Sequence, residues 1–117
     1  MKANEDVIIN GRSLKDILDL NELFLNTRGK EGEYANLEYA NLYNACLKYA
    51  YLYNVCLEYA NLYDADLEEA NLEGTNLKDA NLERANLGGA NLYNANLEGA
   101  DLEDVNLKYT YIKSVDK

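Results

Sequence analysis

The side chains able to do chemistry in this chain are carboxylates, phenols and two thiols. Glu38 and Glu58 stand twenty positions apart, each after a Leu and before a Tyr. If the chain returned on itself every twenty residues, they would lie about 5 Å apart, the carboxyl spacing of a retaining glycosidase. Asp66, Glu68 and Glu69 put three carboxylates into one short stretch, the donor type of a hard cation, but no ligand loop accompanies them. Cys46 and Cys56 are the only thiols, and Ser13 and Ser114 the only serines. There is no His, so the commonest general base and thiol activator is absent. The two glutamates are expected on a convex face without a cleft, where nothing would perturb them. Catalysis, a bound metal and a cofactor are therefore not expected.

Composition narrows the partners. The 117 residues allow one domain, and 11 Lys+Arg against 21 Asp+Glu give a net charge of -10. That balance argues against binding nucleic acid by neutralising phosphates, and favours solubility and basic partners. No run of about 18 apolar residues is present, so no membrane span is expected. The opening MKANEDVIIN has early acids and no apolar stretch of signal-peptide length, which gives an expectation of a cytoplasmic protein.

The elements that position these groups are set by a repeat. From Ala35 the chain runs through sixteen consecutive five-residue units without insertion or deletion. The third place holds Leu37, Leu42, Leu47, Leu52, Leu57, Leu62, Leu67, Leu72, Leu77, Leu82, Leu87, Leu92, Leu97, Leu102, Leu107 and finally Ile112. The first place is Ala in twelve units and Val or Thr in the others, and the second is usually Asn. On an α-helix a period of five would spray the leucines around the axis, and in a flat strand it would alternate them between faces. A square coil of four units per circuit returns every Leu to one central column. Small first-place residues fit there, because bulky groups from four sides would crowd a narrow axis. The fold class is thus an all-β solenoid with circuits 35–54, 55–74, 75–94 and 95–114, roughly 19 Å tall at one strand spacing per coil.

These units resemble the A(D/N)LXX consensus of the pentapeptide-repeat proteins. The resemblance covers residues 35–114 and implies a right-handed quadrilateral β-helix. It also implies that a gyrase-directed role is open, since quinolone-resistance and gyrase-inhibiting members act on DNA gyrase as DNA-like rods. From Ala35 to the end there are 14 acids and 6 bases, a net of -8. Over about 19 Å that is about one charge per 2.4 Å, against about 1.7 Å in duplex DNA. This chain lacks the interrupting loop of the quinolone-protecting members.

Residues twenty apart should share a face. Tyr39 then lies over Tyr59, and Tyr43 over Tyr63, spacings at which aromatic pairs stabilise neighbouring strands by roughly 0.5–1 kcal/mol. The second face (40–44, 60–64, 80–84, 100–104) collects Asp64, Glu83, Asp101, Glu103 and Asp104 and is the most acidic. Those acids and the four tyrosines are the expected partner-binding residues. Second-place Asn residues are expected to form amide ladders along the stack. Cys46 and Cys56, half a circuit apart, should sit on opposite faces with the leucine column between them, too far for a disulfide.

Residues 1–34 break the period. Val7, Ile8 and Ile9 before Asn10-Gly11 predict a short strand and turn. Ser13 with Asp16 predicts the start of a helix whose apolar face is Leu14, Ile17, Leu18, Leu20, Leu23, Phe24 and Leu25, with Gly29 as the stop. It would cap the open first coil. This lead-in resembles small phage- and prophage-type pentapeptide proteins, where an aromatic and a His commonly sit on that helix. Phe24 takes the aromatic place and Asn21 the His place. Residues 115–117 form a tail too short to cover the last coil, so a two-fold homodimer through the C-terminal coils is expected. The functional expectation is a rigid, non-catalytic scaffold for an unknown protein partner, with a DNA mimic directed at gyrase or topoisomerase as the alternative.

Overall fold

A computed structural model describes residues 3–112. After a 3-10 turn at Asn4–Asp6, a two-residue hairpin joins β1 (Ile8–Ile9) to β2 (Arg12–Ser13), pairing Ile9 with Arg12 and Ile8 with Ser13. Asn10 and Gly11 both adopt positive φ, 52° and 84°, as a two-residue turn of this hand requires. The sequence anticipated the turn and the first strand but not the returning one. Helix α1 follows directly over Leu14–Asn26. Its N-cap is Ser13, whose Oγ accepts the Asp16 N–H at 3.1 Å. It closes in a Schellman motif: the Gly29 N–H reaches the Phe24 carbonyl at 2.8 Å while Arg28 takes the left-handed conformation at φ 56°. A Cβ at Gly32, φ 80°, would collide with the Leu20 carbonyl oxygen, so the return from helix to coil runs against the helix backbone.

The face that α1 presents to the coil is narrower than its apolar residues suggest. Leu14 is fully buried, Ile17 and Leu18 pack against the core, and Leu23 is 40% exposed. At its centre lies Asn21, with no exposed surface. Its Oδ1 accepts the Ala35 N–H at 2.9 Å and its Nδ2 donates to the Tyr51 carbonyl at 3.1 Å. One side chain thereby ties the cap to the start of the first side and to the fourth side of the same circuit.

From there the chain is a repeat β-helix. Among the described residues twelve parallel bridges, from Asn36–Cys56 to Asn91–Tyr111, each join residues twenty apart, so four five-residue sides make one circuit. Each corner is a four-residue turn closed as in Ala40 N–H to Leu37 carbonyl at 3.1 Å. The fifth residue carries positive φ, between 58° and 73°, in all fifteen described units. Nine of those fifteen are Asn, Asp or Gly, the residues that tolerate this conformation best. At Gly74, φ 69°, a Cβ would also strike the Asn54 side chain one rung above.

The leucine column forms as the spacing demands. Leu37 through Leu92 are each at most 1% exposed. Burying one such side chain is worth on the order of 2 kcal/mol before entropy. Thr75 is buried among them with its hydroxyl donating to the Leu52 carbonyl at 2.9 Å, so no polar group is stranded there. The last coil opens progressively. Leu97 is half-buried, and Leu102, Leu107 and Ile112 are 38%, 43% and 50% exposed. Ser114 and the tail 115–117 lie outside the described residues. Among the described residues no helix is long and apolar enough to cross a membrane.

The second-place side chains behave differently from the ladder expectation. In twelve units the Asn or Asp Oδ1 accepts the N–H two residues on within its own unit, as in Asn36 to Glu38 at 3.0 Å. The local donor is nearer than the next rung, so an Asx turn forms first. An inter-rung chain of side chains is present on the third face, from Asn106 to Asn86 at 2.9 Å and from Asn86 to Asp66 at 3.4 Å.

Candidate interaction surfaces

The second face brings the expected residues together. Tyr43 stacks on Tyr63 with ring centroids 5.6 Å apart and planes 21° from parallel. Below Tyr63, the Arg84 guanidinium lies 5.8 Å from its ring centroid and 3.9 Å from the Asp64 carboxylate. Arg84 therefore links the aromatic half of the face to its acidic half. Beneath it, one carboxylate oxygen from each of Glu83, Asp101 and Glu103 lies within 4.8 Å of the other two. Asp104 occupies the exposed left-handed corner of the same unit. The convergence follows from stacking the unit 80–84 directly over 100–104.

That crowding perturbs one acid. Glu83 is held above the ordinary glutamate range, first by partial loss of water and then by the charges of Glu103, Asp101 and Asp104, with Arg84 opposing. Three oxygens at this spacing are the donors a hard cation would use. Asp66, Glu68 and Glu69 do not converge in that way. The Glu68 carboxylate pairs with Lys48 at 3.1 Å, while Asp66 Oδ1 accepts the Glu68 N–H at 3.0 Å.

The first face carries the second tyrosine pair. Tyr39 and Tyr59 stack with centroids 4.9 Å apart and planes 4° from parallel. The charge of Asp79, one rung below, raises the Tyr59 phenol above its usual value, with Lys78 opposing. Glu58 accepts from the Asn76 amide at 3.4 Å, so the rung places it in a surface hydrogen bond. A third stack was not anticipated: Tyr93 and Tyr111 pair at 5.9 Å and 14°, although one is a fourth-place and the other a second-place residue. Same-place matching could not find it. Cys46 and Cys56 are free, half-buried thiols on opposite sides of the column.

These features define a class: a solenoid of stacked five-residue sides that buries one residue column and displays the remainder in fixed rows. The chain belongs to the pentapeptide-repeat family, whose model, pentapeptide repeats, matches in 8 copies over residues 35–74, 60–99 and 70–108. No curated protein matches it. Similar solved structures include a pentapeptide-repeat protein of the Arabidopsis thaliana thylakoid lumen, 24% identical over 70% of this chain and 57% of that one, with TM-score 0.67. Another is from the cyanobacterium Cyanothece, 44% identical over 68% and 58%, with TM-score 0.36. A third is the plasmid-mediated fluoroquinolone resistance protein QnrB1, 20% identical over 71% and 46%, with TM-score 0.42. The chain thus spans between 46% and 58% of the length of these three. The thylakoid-lumen structure supports the repeat β-helix fold.

Proposed function

We propose that the protein is a non-catalytic interaction module, a right-handed quadrilateral rod that meets a basic surface of a protein partner through its second face. The observation that carries this reading is the continuity of the Tyr43–Tyr63 stack, Arg84 and the trio Glu83, Asp101 and Glu103 on one side of a hydrogen-bonded ladder. A surface whose backbone is already fixed loses little freedom on binding, and Tyr with charged neighbours suits recognition. A non-catalytic role accords with side chains that are either packed in the column or displayed on flat sides. Free thiols at Cys46 and Cys56 accord with a reducing, cytoplasmic location. The exposed Leu102, Leu107 and Ile112 support self-association through the last coil.

The test is a photo-crosslinking amino acid at Tyr43, compared with and without charge reversal at Glu83, Asp101, Glu103 and Asp104. A discrete adduct that disappears in the reversed variant supports the reading. No adduct, or one indifferent to the reversal, contradicts it.

A second reading is favoured by the same acids, because a net of -8 carried in rungs about 4.8 Å apart approaches the charge row of a duplex. The neighbour QnrB1 is a fluoroquinolone resistance protein. In this reading the rod imitates DNA on a gyrase or topoisomerase. Inhibition of gyrase supercoiling by micromolar protein, lost in the charge-reversed variant, would select it over a scaffold. The absence of any effect would remove it.

A further inference from the structure

The upper edge of the first coil, at the other end of the stack from the acidic trio, is built as a template, and its first side carries no partner among the described residues. In the third circuit of the same face all three such groups are used. Asn76 donates its N–H to the Val55 carbonyl at 3.1 Å, its carbonyl accepts the Leu57 N–H at 2.8 Å, and the Lys78 carbonyl accepts the Tyr59 N–H at 3.0 Å. The equivalent groups at the top are the N–H and carbonyl of Asn36 and the carbonyl of Glu38. Among the described residues none of the three has a hydrogen-bond partner, and both residues are exposed. On the fourth side the equivalent carbonyl, that of Tyr51, is taken by Asn21. The cap therefore takes one carbonyl of the fourth side and none of these three groups on the first.

A hollow of about 280 Å³ opens at the Ala35–Asn36 end of that free edge, with Ile9, Ile17 and Leu20 also lining it. Its rim carries the Arg12–Glu33 ion pair at 2.6 Å. Glu33 is thus compensated, whereas Glu38 has no ion pair among the described residues, and the open edge is acidic.

We propose that this edge is the docking groove for an extended segment of a partner protein, which adds itself as one further rung above the first face. The coil's own register specifies the segment. Its first residue offers a carbonyl to the Asn36 N–H, its third donates an N–H to the Asn36 carbonyl, and its fifth donates to the Glu38 carbonyl. The third place is the register's aliphatic place, and the hollow floored by Ala35 and Asn36 lies next to it. The fourth stacks over Glu38, so a basic group there gains a charge partner. The partner class is a protein carrying a short small-x-aliphatic-basic stretch in extended form. This inference concerns the opposite end of the rod and stands independently of the second-face reading.

The test uses the full ¹⁵N-labelled chain and an acetylated, amidated peptide Ala-Asn-Leu-Lys-Gly, titrated to millimolar concentration. Two controls run beside it, one with N-methyl leucine at its third position and one with Glu replacing Lys. The expected result is shift changes confined to Ile9, Arg12, Ile17, Leu20 and residues 33–39, with exchange of the Asn36 amide slowed about tenfold at saturation. The N-methyl peptide should produce neither effect, and the Glu peptide should bind several-fold more weakly. The proposal is overturned by an absence of shifts, by shifts centred on the last coil, or by equal binding of the N-methyl peptide. Concentration-dependent protection of Asn36 in the protein alone would assign the edge to a second copy and overturn it too.

Discussion

The Oδ1 of Asn21 accepts the backbone N–H of Ala35 at 2.9 Å in a site closed to water, while the same side chain donates to the Tyr51 carbonyl. Two backbone groups that open the coil thus depend on one amide from the cap. Asn21→Ala should lower stability by about 2–4 kcal/mol, because the buried Ala35 N–H would be stranded and the partly buried Tyr51 carbonyl would lose its donor. Asn21→His retains one donor and one acceptor and should lose less. Urea unfolding of the three proteins checks the order, and an Asn21→Ala protein as stable as the parent would refute the coupling of cap to coil.

Gly74 tests the corner geometry. Gly74→Ala should cost about 2–3 kcal/mol, combining the left-handed conformation with collision against the Asn54 side chain. Asn54 is itself left-handed at φ 60°, so Asn54→Ala has a cost of its own; in that background Gly74→Ala should cost only about 1 kcal/mol, the part from φ. Additive losses in a double-mutant cycle would show that the two residues do not meet.

Glu83 makes stability depend on pH in a defined direction. A carboxyl whose folded value is raised binds its proton more tightly in the folded state. Folding is therefore favoured below the ordinary glutamate value, and this advantage is lost as pH rises through the folded value. Glu83→Gln should be more stable than the parent at neutral pH, with the difference vanishing below about pH 4. Added salt should shrink the neutral-pH gap, since part of the cause is repulsion from exposed Glu103, Asp101 and Asp104. Denaturation midpoints of both proteins between acid and neutral pH supply the check.

The opened last coil predicts self-association. Leu102, Leu107 and Ile112 expose apolar surface beside a ladder edge that has no partner among the described residues. Sedimentation should give a dimer at tens of micromolar and a monomer for Leu107→Glu. A monomeric parent would contradict the two-fold pairing.

How far the sequence could be read depended on whether a residue's role was periodic. The leucine column, the pairs Tyr39–Tyr59 and Tyr43–Tyr63, the opposite placement of the cysteines and the acid convergence all follow from a twenty-residue return, so counting along the chain located them. Roles set by the nearest available partner escaped that count. The Asn Oδ1 atoms turned to N–H groups two residues on, where a ladder along the stack had been expected. Tyr93 found Tyr111 across unlike places. Asn21 was placed only as the residue standing where similar lead-ins carry a His, and its task appears only when the coil supplies Ala35 and Tyr51. Leu23 belonged to the pattern but points away from the core.

The twenty-residue rung offset is tested most directly by a cross-link. In a background with Cys46→Ser and Cys56→Ser, the pair Glu83→Cys/Glu103→Cys should oxidise to an intramolecular disulfide. Its two Cα atoms would stand one rung apart, about 5 Å, within disulfide range. The pair Glu83→Cys/Glu98→Cys, on different faces, should stay reduced under the same conditions. Mass spectrometry showing the first pair closed and the second open is the predicted result. The opposite pattern, or no discrimination between them, would contradict the stacking on which the acidic face and both docking surfaces depend.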